Sequence, residues 1–490
     1  MNRLEKLVIS LNYFCIFLIF LVIFFLSYGI VVTSDYAFSD DYALLFDASV
    51  RNLTAASTML AQGGRPLYAI FNYIFLLTPN LTDLGWIRLG SILGIASFST
   101  LLYRQIRTHI DIPADMAAIA AILCGLAPAF QVYSAWTIDA PFPWAACLSG
   151  ISLMILARTD RKPLRRLISS YLVLTTSMMI YQPAAMVYWV FAAVVFWDQR
   201  DRSAVITLYA QSLIVMFSAL ATDFLASRII PIILFNNPPP LERAGVTHDV
   251  FGKLYWFLHE VLPNALRLPS IGDSYIVSFS CFALITAGLI FKFHKNPSKI
   301  CLYATLIPLS YAPNLIAKEN WGSYRSQAAL GALLTLLFFL TGYYLASLTK
   351  ARLLIRNAAI LALVYFSFLA HRNIDRLFVK PQVKELALVE KYLSDEPHLL
   401  ENIQTAQSVY FIPSHWENAL VTPIRYDEFG LPSSAQPWAP VGMVWSILHS
   451  SGYPTPPGLL NFTVGPKTRA PLSKDIAVVD LDMAIQTKFR

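Results

Sequence analysis

Two adjacent carboxylates, Asp40 and Asp41, follow a long apolar N-terminal run in the stretch SDYAFSDDYALLFDASVRNLTAASTMLAQGGRP, residues 34–66. The stretch closes on Gly63, Gly64, Arg65 and Pro66. A carboxylate within hydrogen-bond reach of a hydroxyl can take its proton as the oxygen attacks. An arginine offers a planar fork of donors that matches a phosphate and stabilises charge growing on it. Acids beside an arginine at a membrane exit therefore suit chemistry on a membrane-held substrate that carries a phosphate. The plainer alternative is a polar loop whose acids face water, and an acidic pair alone does not decide between them. Further along stand Arg88, Asp139 in WTIDAPFPW, His248 in a proline-rich loop, and Lys318, Tyr324 and Arg325 in KENWGSYRSQ. Ionisable residues near or inside a membrane are costly, so each raises a functional hypothesis. Each also has a bland reading. Arg88 snorkels to headgroups, Asp139 caps the helix that follows it, Lys318 anchors the interface, and His248 is solvated.

The elements that would hold these residues are membrane helices. The chain of 490 residues is 56% hydrophobic and 14% charged, with net charge +7 and mean hydropathy +0.54. Soluble domains carry about 25% charged residues, so the composition points to an α-helical polytopic membrane protein. At about 20 apolar residues per span, about 11 transmembrane helices are expected over roughly the first 371 residues. They begin with a retained anchor at 7–33 and include a pair of short spans over 167–197, broken at Tyr181-Gln182-Pro183. The first outside loop is 34–83, with 66–78 lying at the interface, and a second large loop is 236–272, with an amphipathic helix over 252–268. Lys and Arg crowd the alternate loops, at Arg104 and Arg107, Arg158–Arg166, Arg200 and Arg202, and Lys292–Lys299. That bias puts the N-terminus inside and the acid-bearing loops outside. No basic stripe with interleaved aromatics marks a nucleic-acid partner. The five cysteines all fall in apolar segments and read as small buried hydrophobes.

The tail, 372–490, is different in kind, with charges, prolines and short alternating segments. Helical periodicity at Lys384–Leu393 and strand-like alternation at Ser408–Ile412 and Ile476–Leu481 predict a small α/β C-terminal domain on the outer, periplasmic face. Sequons begin at Asn52, Asn80 and Asn461, all on the expected outside.

Several of these features together resemble a known family. The acidic pair after the first span, the R-P-L-Y segment, the arginine in GWIRLG and the Asp at the third-to-fourth junction resemble membrane glycosyltransferases of the GT-C fold. SDDYALL with GGRPLY, and DEFGLPSSAQPW at 427–438, resemble the GtrII-type bacterial O-antigen glucosyltransferases. The resemblance implies transfer of a sugar, glucose in that family, from a polyprenyl-phosphate donor lipid to a glycan acceptor, the lipopolysaccharide O-antigen. It places the reaction at the periplasmic face of the bacterial inner membrane. It further implies that Asp40 and Asp41 are catalytic. Arg65, Lys318 and Arg325 are the candidates for the donor phosphate, and Asp139, Arg88, Tyr324 and His248 for substrate binding. Of the pair, Asp41 is slightly favoured as base, because Asp40 follows Ser39 and can close an Asx-type turn. No Walker or Rossmann fingerprint marks a nucleotide donor. A divalent metal is compatible with the acidic pair, although a lipid monophosphate has no pyrophosphate that requires one. A lipid-linked sugar transporter or flippase, and a non-enzymatic envelope assembly partner, are the alternatives.

The charge bias makes a first prediction. A reporter active only in the periplasm should work when fused after Arg490 and fail after Arg161; the reverse pattern would overturn the topology.

Overall fold

The computed structural model describes residues 3–50, 52–77, 80–160, 162–236, 245–268, 270–271, 274–349, 352–424, 428–471, 473 and 475–486, with the side chains of 3–11 and 352 outside the description. Arg51, Arg161, Glu242, Arg243, Lys350 and Arg490 therefore lie outside the described residues, as do the side chains of Arg3 and Lys6.

Helices dominate. Among the described residues six are long and apolar enough to cross a membrane: Leu81–His109, Thr137–Leu156, Arg202–Phe235, Tyr275–Phe293, Tyr324–Ser347 and Leu353–Asp395. A seventh span results if Ala114–Gly125 and Pro128–Ala135, bent by 61°, count as one. The expected first span forms the continuous helix Arg3–Tyr28. The others are shorter or interrupted. Pro163–Ile180 carries Arg165, Arg166 and several hydroxyls and stops at Tyr181, which is extended at φ −164 and ψ 110. Tyr188–Asp198 is only 11 residues long. Pro297–Leu309 ends before Tyr311, with Pro308 inside it and Pro313 opening the next short helix. Proline is the common cause. It removes a backbone donor and drives the residue before it away from helical geometry, as at Ala127, where ψ is 150.

The first loop folds back rather than standing in water. Asp40–Ser49, Thr54–Gln62 and Pro66–Phe71 are three short helices, the last continued by a 3-10 turn to Leu77. Tyr68, expected at the interface, is buried instead, and its hydroxyl donates to the Ile138 carbonyl. Tyr73 and its apolar neighbours do face outward. In the second loop the helical segment from Val250 to Ala265 turns Val250, Phe251, Leu254, Tyr255 and Leu258 outward as one stripe, the spacing of a helix lying on a membrane surface.

The tail grows directly out of the membrane body, because the helix from Leu353 continues through a π turn at Asp375–Val379 into Lys380–Asp395. Beyond it lies a three-stranded sheet of β1 (Ser408–Ile412), β2 (Phe462–Val464) and β3 (Ile476–Asp480). The strand order is β2-β1-β3, and β1 pairs parallel with both neighbours. β1 and β3 occupy the two segments where alternation predicted strands. The helix Pro440–Ser450 then lies across Asp40–Ser49 so closely that a Cβ at Gly442 would collide with the Tyr42 carbonyl. Phe38 touches both Trp136 and Phe378, each at 4.8 Å between ring centres, so a single apolar core runs from the body into the tail.

Gly442→Ala should therefore cost about 1–3 kcal/mol by overpacking, read as a lower melting temperature of the full chain in detergent. Gly90→Ala, where an added Cβ meets nothing within 4 Å, is the control. Equal melting of the two variants would contradict the close crossing.

Candidate functional site

The turn before Asp40 is built by force. Ser39 has φ +48 and ψ −108, a conformation rare outside glycine. Its backbone N–H donates to Ser433 Oγ at 2.8 Å, and its hydroxyl accepts from Trp438 Nε1 at 3.3 Å. Ser433 is itself fixed. Its hydroxyl donates to Gln382 Oε1 at 2.6 Å, and the N–H groups of Ser433 and Ser434 donate to the buried Glu385 carboxylate at 3.0 and 2.7 Å. The SDD turn of the first loop is thus held by the tail's LPSS segment.

The two acids of the pair then part company. Asp41 is completely buried. Its Oδ2 accepts from the N–H groups of Phe38 (3.2 Å) and Thr137 (3.3 Å), and its Oδ1 from Ile138 N–H (3.0 Å). Arg88, also completely buried, closes over this knot. It donates Nε–H to Thr137 Oγ1 at 3.1 Å and its terminal N–H groups to the carbonyls of Val31, Ser34 and Tyr36, with its guanidinium 3.6 Å from the Tyr36 ring centre. Burial pushes the Asp41 carboxyl up to about 6, opposed by the Arg88 charge and by hydrogen bonds from Thr137, Ile138 and Phe38. Both oxygens are engaged and closed off, so Asp41 is a poor proton acceptor for a substrate, contrary to the sequence preference. Asp40 is the half-buried member, at the first position of its helix and 3.3 Å from the Ser39 hydroxyl. Arg88, expected near substrate, is likewise a buried clamp.

Around Asp40 the structure gathers a second layer of charge. The charges of Asp139, Arg65, Asp41 and Asp40 all act on the Tyr68 phenol. Arg65 lies 4.7 Å from the Tyr181 ring centre and 5.9 Å from that of Phe142, and these two rings stack at 3.8 Å. Its position follows from Gly64, which has φ +80 and whose carbonyl accepts from Gln182 Nε2. The same amide donates to Asp223 Oδ2 at 2.8 Å, a buried carboxylate within the long Arg202–Phe235 helix. Arg325 lies 4.4 Å from the Trp136 ring centre, with Asp139 and Glu428 each 3.9 Å from its nitrogens. Both acids draw on the guanidinium electrostatically. Arg65 and Arg325 both bear electrostatically on Tyr181.

Glu428 is the residue that sequence reasoning missed as an individual. It is completely buried and comes from the tail, yet it accepts from the backbone N–H groups of Tyr324 and Arg325 at 2.7 Å each. Its only signal was membership of the DEFGLPSSAQPW motif. Tyr324 is buried against Phe429, at 5.3 Å between ring centres, and serves this junction. Asp223 and Gln182 were also missed, because nothing in an apolar run marks which way one carboxylate points. Two expected residues are not brought in. Lys318 is exposed in a turn whose N–H donates to the Gly245 carbonyl, and no described contact joins its side chain to Arg325. His248 is exposed in the strand-like pairing beside it. Among the described residues no three His, Cys, Asp or Glu side chains come together to hold a metal ion.

The Asp41 knot predicts a pH signature. The folded state binds this proton more tightly than the unfolded chain, so the group's stabilisation is complete below its ordinary value of 3.8 and is lost as pH rises through about 6. Asp41→Asn cannot titrate and turns an N–H₂ toward backbone donors, costing about 1–3 kcal/mol. Its melting-temperature deficit against wild type should widen between about pH 6 and about pH 4; a constant or shrinking gap would exclude a buried, titrating Asp41.

No family model, no curated protein and no solved structure matches this chain, so its function has to be read from these residues.

Proposed function

We propose that the chain is an integral-membrane glycosyltransferase of the GT-C type. It moves a sugar, glucose by the GtrII resemblance, from a polyprenyl-phosphate donor to an envelope glycan at the periplasmic face of a bacterial inner membrane. The observation that supports this best is a pair of arginines each laid on an aromatic ring, Arg65 on Tyr181 and Arg325 on Trp136, with Arg65 in the same loop as the half-buried Asp40. Stacked guanidinium groups are held in place before a ligand arrives, and their planar forks suit a phosphate. Immediately after Arg65, Ile70, Phe71, Ile74 and Leu77 turn outward and offer an apolar rim for the donor's lipid.

The acceptor hydroxyl attacks the anomeric carbon while the bond from that carbon to the phosphate oxygen breaks. Asp40 takes the hydroxyl proton. The lipid phosphate leaves with the bonding electrons, and Arg65 and Arg325 meet its charge. Asp139 and Glu428 orient Arg325, while Asp41 and Arg88 hold the turn that presents Asp40. Lys318 and His248 have no part in this arrangement.

The test is single-turnover transfer from purified polyprenyl-phospho-glucose by the full chain in lipid nanodiscs. Asp40→Asn should slow transfer by about 10²–10⁴-fold with donor binding retained. Arg65→Lys and Arg325→Lys should weaken donor binding, because the charge remains while the fork is lost. Turnover of Asp40→Asn within a few-fold of wild type would remove the base, and a folded protein that transfers no polyprenyl-phospho-hexose would remove the activity.

A further inference from the structure

A groove lies far from this site. It occupies about 260 Å³ between the helices Arg202–Phe235 and Pro297–Leu309. Val205, Ile206 and Leu302 line its walls. The Tyr209 and Thr305 hydroxyls, 2.9 Å apart, bridge its two helices at one end, and Arg202 and Lys299 line the other. Arg202 and Asp223 stand on one helix about 30 Å apart at 1.5 Å per residue. Asp223 is tied to Gly64 through Gln182, so the groove opens at the opposite end of the body, about one hydrocarbon thickness from the Asp40 turn.

The Arg202 end is strongly cationic. Arg200, Arg202, Lys292, Lys295 and Lys299 lie at this end, against Asp111, Asp198 and Asp201. Asp198 and Asp201 are already engaged. Asp198 pairs with Lys292 at 2.9 Å, and Asp201 caps its helix through the Ser203 N–H at 2.9 Å. Lys299 Nζ reaches the carbonyls of Phe196 and Trp197 at 2.7 and 3.1 Å, which keeps its charge beside the groove. Arg202 is exposed at this end and has no acidic partner among the described residues. An apolar slot between membrane helices with cations at its interfacial end matches one kind of occupant: an acyl chain in the slot, with its phosphate at that end.

From this charge complementarity we infer that the groove is a binding site for an anionic phospholipid of the leaflet opposite the Asp40 site. This holds whether or not the chain transfers sugars. A headgroup alone would lack the slot, and a zwitterionic lipid would gain little from the cations.

The experiment is native mass spectrometry of the delipidated full chain in detergent, titrated with phosphatidylglycerol, with phosphatidylcholine, and with soluble glycerol phosphate as competitor. Phosphatidylglycerol should be retained several-fold over phosphatidylcholine, and glycerol phosphate should not displace it. Removing the exposed cation with Arg202→Gln should lower phosphatidylglycerol retention about fivefold, the effect of one surface cation. Filling the slot with Ile206→Trp should abolish the preference. Phe217→Trp, at an exposed position farther along the same helix, should leave it unchanged. Equal retention of the two lipids, displacement by glycerol phosphate, or full retention in both Arg202→Gln and Ile206→Trp would each overturn the inference.

Discussion

The fold of the loop end depends on one buried carboxylate. Asp41 is fully buried and receives three backbone N–H groups, one from its own turn and two from the Thr137–Ile138 junction. A lone buried charge would be expensive, and these donors together with the Arg88 guanidinium make it tolerable. Arg88 in turn satisfies carbonyls at Val31, Ser34 and Tyr36, where the chain leaves its first apolar helix. The knot therefore joins the first helix, the first loop, the second helix and the third-to-fourth junction. Remove either ion, and the other is left buried and uncompensated.

Everything proposed for chemistry is positioned from this knot outward. Its partner Asp40 is presented because Asp41 cannot leave, and adjacent residues of a helix point about 100° apart. Arg65 is aimed by a left-handed glycine whose carbonyl is held by Gln182, and Gln182 is held by Asp223. Arg325 is seated by Glu428 below its backbone and Trp136 beside its side chain.

The tail is part of this construction rather than an appendage. Its Ser433 holds Ser39 in a strained turn, its Glu428 caps the Tyr324–Arg325 corner, and its helix at Gly442 presses on the Tyr42 backbone. Strain at Ser39 persists because the surrounding bonds over-determine it. The tail and the membrane body accordingly share the walls of one site.

Much of this could be read before any coordinates. Apolar length and charge marked the chain as helical and membrane-embedded, because the bilayer demands long apolar helices whatever their partners. Alternation located β1 and β3, and the unusual ions of the first loop, Arg88, Asp139 and Arg325 drew attention because charge near a membrane is costly. What local pattern could not say was which ion faces inward. Asp40 and Asp41 are identical in type, and only packing against Thr137 and Ile138, nearly a hundred residues away, makes one a buried knot and leaves the other half-buried. Apolar runs are bent or broken at prolines 128, 308 and 313, while the break at Tyr181-Gln182-Pro183 was legible in the sequence. Lys318 and Arg325 are close in sequence yet separated, while Glu428 meets Arg325 from the far end of the chain. Composition and periodicity determine what environment a segment must enter; only the tertiary fold decides which charges become neighbours, because that depends on contacts between segments that share no local pattern.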